Sequence, residues 1–193
     1  MATKDSISLR RATTVIQSGG VIAYPTETVW GFGCDPDNQR AVEQLLALKQ
    51  RPVEKGLILV AASAEQFAPY LQGLDDALVS KFAQLTSKPA SKPTTWLVPH
   101  NGRAKDWIRG DFQSVALRVS TSALVIELCN SLGGPVVSTS ANISGEPTCE
   151  SPAQLQRFLN GDGLDFILPG RLKPNAKPSE IRDLISGKVI RGT

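Results

Sequence analysis

A chain of 193 residues suits one domain with a sizeable core, or two small ones at most. Its 41% hydrophobic and 20% charged residues are ordinary globular composition and argue against intrinsic disorder. A formal net charge of +3 is compatible with an anionic ligand but too small to demand nucleic acid.

In residues 6–18, Leu9, Ala12, Val15 and Ile16 recur at helical spacing, and Gly19-Gly20 ends the segment. Val21 to Tyr24 reads as a short strand stopped by Pro25. The polar stretch "TETVWGFGCDPDN" follows. Asp37 or Asn38 then caps a helix to about Lys49 that buries Val42, Leu45, Leu46 and Leu48. "GLILVAA", residues 56–62, is a continuous apolar run, as expected of a strand covered on both faces. A helical segment over 64–72 precedes a second helix, capped by Asp75, that carries Leu78, Phe82 and Leu85 inward. "SKPASKP", residues 87–93, reads as a loop, and "TTWLVP" and "SVALRV" as strands. A capped helix fills the interval between Ser122 and Gly134, and "GPVVSTSANISGEP" is a strand running into a polar loop. Ser151-Pro152 opens a helix over 152–160 with Gly161 as its stop. "DFIL" is a late strand, and "EIRDLISGKVIRG" reads as a hairpin around Ser186-Gly187. There is no internal repeat and no dividing linker, so the expectation is one α/β domain over residues 1–193, with a twisted mixed sheet flanked by helices.

Three cysteines, Cys34, Cys129 and Cys149, fit neither a zinc spacing nor a disulfide framework, which favours reduced thiols in a cytoplasmic protein. The N-terminus lacks the apolar core of a signal peptide, and no apolar run approaches membrane-spanning length. The only histidine, His100, follows Pro99 in a predicted loop, which removes histidine-dependent triads and histidine-rich metal sites.

Four polar clusters interrupt this apolar frame. In the first, Thr26 and Thr28 offer hydroxyls, Glu27 a carboxylate, and Gly31 and Gly33 close backbone approach. Two readings fit: a capped turn, or a small-molecule site at a strand end. "GFGCDP" has proline where a GxGxxG turn needs its third glycine, and no GxxxxGK[ST] occurs, so Rossmann and P-loop readings are out. The second cluster, Lys49, Arg51 and Lys55, gathers three cations at one helix-to-strand junction. Helix-end cations meeting the macrodipole explain one or two of them; a polyphosphate or carboxylate site explains all three. The third is Arg118, which shares a strand face with Ser114 and Ala116 and needs either water or an anion. The fourth, Ser138, Thr139, Ser140, Asn142 and Ser144, follows a buried strand with the succession of donors that forms an anion-binding nest.

The ordered pieces "YPTETVWGFGCDPDN", "KQRPVEKGLIL", "SVALRVS", "STSANISGEP" and "PSEIRD" resemble the YrdC/TsaC family of threonylcarbamoyl-AMP synthases, nucleotidyltransferases with a YrdC-like fold. The match runs from the first strand nearly to the last residue. The resemblance implies synthesis of threonylcarbamoyl-AMP and pyrophosphate from L-threonine, bicarbonate and ATP, with Mg²⁺ bound to the ATP. This is the first step of the threonylcarbamoyl modification of tRNA adenosine beside the anticodon. It implies Thr28, Arg118 and Ser138 as the threonine site. It also implies Lys49, Arg51, Lys55, Ser114, Ser140, Asn142, Thr148, Ser179 and Arg191 around ATP, with Lys49 and Arg51 catalytic. The implied partners downstream are the tRNA transfer machinery TsaD, TsaB and TsaE.

Two positions depart from the family's pattern. Many relatives have an aromatic-Pro-Gly-Pro sequence where this chain has "KPASKP", and several longer relatives have a histidine where Val60 stands. The rival reading is a non-catalytic protein binding tRNA or double-stranded RNA through Lys88, Lys92, Arg103, Lys105 and Arg109.

Overall fold

The computed structural model describes residues 4–87, 93–159, 163–172 and 179–192. Its strands are β1 (Ile22–Pro25), β2 (Trp30–Gly33), β3 (Ile58–Ala61), β4 (Thr94–Pro99), β5 (Ser114–Val119), β6 (Val136–Ser140), β7 (Phe166–Ile167), β8 (Glu180–Asp183) and β9 (Val189–Arg191). They form one sheet in the order β7-β1-β2-β6-β3-β5-β4-β8-β9. The pairs β1–β7, β3–β5 and β4–β8 are parallel and the others antiparallel, so the sheet is mixed as expected.

Helices α1 (Lys4–Gln17), α2 (Gln39–Leu48), α3 (Ala68–Leu71), α4 (Asp76–Thr86), α5 (Asp106–Arg109), α6 (Ala123–Leu132) and α7 (Pro152–Leu159) surround it. Asn38 caps α2 by accepting from the Ala41 amide, and Asp75 caps α4 through the amides of Ala77 and Leu78. Both caps satisfy amides that the first helical turn leaves open. The predicted α2 core residues are all buried.

Two apolar layers sandwich the sheet. One unites Leu59, Val98 and Leu117 with side chains of α2, α3, α4 and α7. The other places Val60, Val136, Ile22 and Tyr24 against α1 and α6. Val60 is 1% exposed in this second layer, so the position where longer relatives have histidine lies in the core.

Three local expectations change. Trp30–Gly33 is a strand, because it folds back antiparallel on β1 with Pro25 opposite Trp30. Its glycines conceal the strand in the sequence, yet the packing demands them. A Cβ on Gly33 would lie 2.6 Å from the Val137 carbonyl oxygen and 2.7 Å from the Tyr24 ring. Leu85 is 40% exposed, since α4 buries only Phe82 fully and its contact stripe is narrow. The single turn of α5 is too short to leave a periodic signature. Residues 88–92 of the departing segment 88–93, and the predicted helix stop at Gly161, lie outside the described residues. All three cysteines are free and buried.

Candidate active site

The α1–α6 layer covers only half of its sheet face. On the other half a cleft of about 660 Å³ lies open, a size suited to a small-molecule substrate. Ser114, Ala116 and Arg118 of β5 form its floor, flanked by Ile58 and Leu97. One wall is the β1–β2 turn with Thr26, Thr28 and Gly31, joined by Ser138 to Ser140 of β6. The opposite wall carries Ser179, Ile181, Ile190 and Arg191, and Arg51 and Lys55 stand at the third side with Thr148.

The turn is shaped by Thr26. Its hydroxyl donates to the Val29 carbonyl at 2.7 Å and accepts from the amides of Thr28 and Val29 at 3.3 Å. This brings Thr28 into the same cleft as Arg118 and Ser138. The strand-end reading of the opening cluster therefore agrees with the geometry, although the strand end is a hairpin and not a strand-to-helix turn.

Arg118 is 7% exposed, which rules out a solvated sheet face. Its Nη2 lies 3.9 Å from Oε2 of Glu27. Glu27 Oε1 accepts from the Ser120 hydroxyl and, at 2.8 Å, from the Thr121 amide. Burial pushes the Glu27 carboxyl up, but the Arg118 cation and the Ser120 hydrogen bond outweigh it and hold the group below its ordinary range. Glu27 Oε2 and Arg118 Nε are buried without a hydrogen-bond partner among the described residues. A buried guanidinium with an open donor is a recognition element for an anion.

At the other end, α2 terminates in a Schellman turn, with the Gln50 amide bonded to Ala47 O and the Arg51 amide to Leu46 O. Gln50 occupies the left-handed position at φ 48°. The reversal sends Lys49 and Arg51 in opposite directions. Arg51 enters the cleft, braced by bonds from Nη2 to the carbonyls of Lys55 at 3.0 Å and Gly56 at 2.8 Å. Burial, and then the charge of Arg191, lower its pKa. Among the described residues no carboxylate pairs with Arg51, Lys55 or Arg191. Like charges gathered without counter-charge favour a polyanion.

Lys49 does not line the cleft. It is 2% exposed and donates to Ser140 O, to Asn142 O at 2.9 Å and to Asn142 Oδ1 at 3.3 Å. Burial and the Arg51 charge push its ammonium down to about 8. Asn142 is also behind the cleft, accepting from Ser140 Oγ at 2.6 Å and donating to Ile143 O and Glu146 O. Both residues shape the loop that presents Ser140 and Thr148, and their donors are consumed there. The resemblance implies both at the nucleotide, whereas here neither lines the cleft. The other implied residues line the cleft. Thr26, Gly31 and Arg109, which stand outside the implied ligand sets, also line it, and Glu27 of the opening cluster lies behind Arg118. A carboxylate between two threonines was the available signal for Glu27.

Two members of the predicted basic surface are held in ion pairs. Arg103 is paired with Asp37 and stacked over Tyr70, and Arg109 is paired with Asp106. Lys88 and Lys92 lie outside the described residues. Among the described residues no group of three or more His, Cys, Asp or Glu could hold a metal, and no helix is long and apolar enough to cross a membrane.

Residues 14–192 match the model of the Sua5/YciO/YrdC family, described as "Telomere recombination". The chain is 48% identical over 180 residues to a threonylcarbamoyl-AMP synthase of Cellvibrio japonicus, covering 93% of each chain. It is 49% identical over 180 residues to that of Pseudomonas aeruginosa strain UCBPP-PA14, covering 93% of this chain and 94% of the relative. Among solved structures it resembles Sua5 of P. abyssi complexed with L-threonine, at TM-score 0.80 and 27% identity, covering 91% of this chain. The chain spans 50% of that Sua5 chain.

Proposed function

Because the chain belongs to the Sua5/YciO/YrdC family, we propose that it is a threonylcarbamoyl-AMP synthase using L-threonine, bicarbonate and Mg-ATP. The observation that carries this reading is one cleft with two unlike ends. Arg118, Thr28 and Ser138 lie at one end, and Arg51, Lys55 and Arg191 without carboxylate partners at the other. The first set suits an amino-acid carboxylate and hydroxyl, the second a triphosphate.

Threonine held by its carboxylate at Arg118 directs its amine toward the nucleotide. The neutral amine forms an N–C bond to the carbon of CO₂ and loses a proton, or to that of bicarbonate with breaking of a C–O bond and release of water, giving a carbamate in either case. A carbamate oxygen then bonds to the α-phosphorus as the bond to pyrophosphate breaks. Such a transfer needs positioning and charge neutralisation, which cations, hydroxyls and amides supply without histidine. Holding both reactants in one cleft contributes up to roughly 7–11 kcal/mol by removing the entropy cost of their encounter. Mg²⁺ enters as part of the substrate Mg-ATP, and the hydroxyl-lined, carboxylate-poor cleft suits that mode of delivery. Ser114, Thr148 and Ser179 offer hydroxyls of the cleft to the nucleotide, Ser140 having spent its own on Asn142, while Lys49 and Asn142 act by holding the loop. The three free thiols suit a reducing cytoplasm. The product passes to TsaD, TsaB and TsaE for transfer to tRNA.

The test is bicarbonate dependence. Threonine-dependent pyrophosphate release should fall in CO₂-depleted buffer, return with bicarbonate, and carry isotopic carbon from bicarbonate into the adenylate. Release that is indifferent to bicarbonate would mean direct adenylation of the threonine carboxylate, and the proposal would be wrong.

A further inference from the structure

We propose that Glu27 is a positioning residue that pins the Arg118 guanidinium from behind the cleft and so sets its selectivity for a carboxylate ligand. This rests on the functional reading above. Arg118 lines the cleft and Glu27 does not, yet their charged groups approach to 3.9 Å in a nearly dry setting. Glu27 is 5% exposed. Its Oε1 is held by the Ser120 hydroxyl and the Thr121 amide, where the chain leaves β5 for α6. The carboxylate therefore ties the β1–β2 turn, which carries Thr28, to the end of the strand that carries Arg118. Two parts of the threonine end are held in register by one side chain.

The unpartnered Glu27 Oε2 and Arg118 Nε give the second observation. The pair is close but not a full hydrogen-bonded fork, so Glu27 does not saturate the guanidinium, and Arg118 still lines the cleft. Two effects oppose each other when Glu27 loses its charge. Repulsion of the incoming carboxylate falls, which would tighten binding. Arg118 also loses the counter-charge that fixes its orientation, and a buried cation without one turns to whatever acceptor it can reach. The orientation effect dominates, because Glu27 faces the guanidinium directly while the substrate carboxylate lies beyond it.

The experiment compares wild type with Glu27→Gln, which keeps shape and can still accept from Ser120 and Thr121, but presents an amide donor to Arg118. Threonine affinity by calorimetry, and KM for threonine and for ATP, are measured alongside thermal stability. Threoninamide serves as the probe without a carboxylate. Threonine affinity should fall about 10- to 100-fold in the variant. ATP KM should stay within about 2-fold, and the preference for threonine over threoninamide should shrink. Ser120→Ala, which loosens the same carboxylate without removing its charge, should shift threonine in the same direction by a smaller factor. It provides the readout if Glu27→Gln fails to fold. Unchanged or tighter threonine binding, or equal losses for both substrates, overturns the role of Glu27. Absence of threonine binding by wild type overturns the functional reading itself, and this inference with it.

Discussion

Arg51 and Lys49, two residues apart, take opposite roles. Arg51 spends part of its guanidinium on the Lys55 and Gly56 carbonyls and turns the remainder into the cleft. A lysine has the charge but no planar fork with which to do both. Arg51→Lys should therefore lower kcat/KM by a factor corresponding to about 1.5–3 kcal/mol, with little change in thermal stability. Steady-state kinetics beside a melting curve checks this, and parental turnover would reduce Arg51 to a helix-end cation. Lys49, by contrast, works from within the protein as a clamp for three acceptors of the Ser140–Asn142 loop.

At the scale of elements, the end of α2 decides which cation reaches the ligand. A Schellman turn favours glycine at its left-handed position, and this chain has Gln50 there at φ 48°. Gln50 is exposed, so its side chain does not commit the core. Gln50→Gly should stabilise the protein by about 0.5–1 kcal/mol and leave the kinetics unchanged. Gln50→Val should destabilise it and weaken the nucleotide end, because a β-branched residue resists the reversal that separates Lys49 from Arg51. Denaturant unfolding of the two variants tests this; equal stability for Gly and Val would show that the turn is unstrained.

For the whole molecule, the buried Lys49 ammonium links global stability to pH. Its folded pKa of about 8 lies below the ordinary 10.5, chiefly through burial. Below pH 8 both folded and unfolded states carry the proton, and the burial cost is constant. Between pH 8 and 10.5 the unfolded chain keeps a proton that the folded one has released, so the Lys49 contribution to stability rises with pH. At about 1.4 kcal/mol per pH unit, the rise is on the order of 3 kcal/mol across that window. Urea unfolding at pH 7 and pH 10 should show this rise in wild type relative to Lys49→Met, whose other titrating groups are the same. A pH-independent difference between the two proteins would overturn the assignment.

The sequence by itself determined most of the elements and the chemical character of the cleft. Alternating and helical apolar patterns, the caps Asn38 and Asp75, and the Ser186-Gly187 hairpin are local signals, and local physics suffices to read them. The clusters around Thr28, Arg51, Arg118 and Ser138 were legible because polar groups next to apolar strands need a reason to be there. Only the tertiary structure decided which groups meet. Strand β2 is hidden by glycines whose purpose is the close approach of β6 and Tyr24. Lys49 turns inward because acceptors from the Ser140–Asn142 loop, 91 and 93 residues on, converge on it. Glu27 reaches Ser120, 93 residues along the chain, and only that long-range closure makes Arg118 a buried, oriented cation. Composition and periodicity record which face of an element avoids water, whereas a partner distant in sequence leaves no periodic trace. The open half of the sheet face likewise follows from where α1 and α6 end, and that is set by packing.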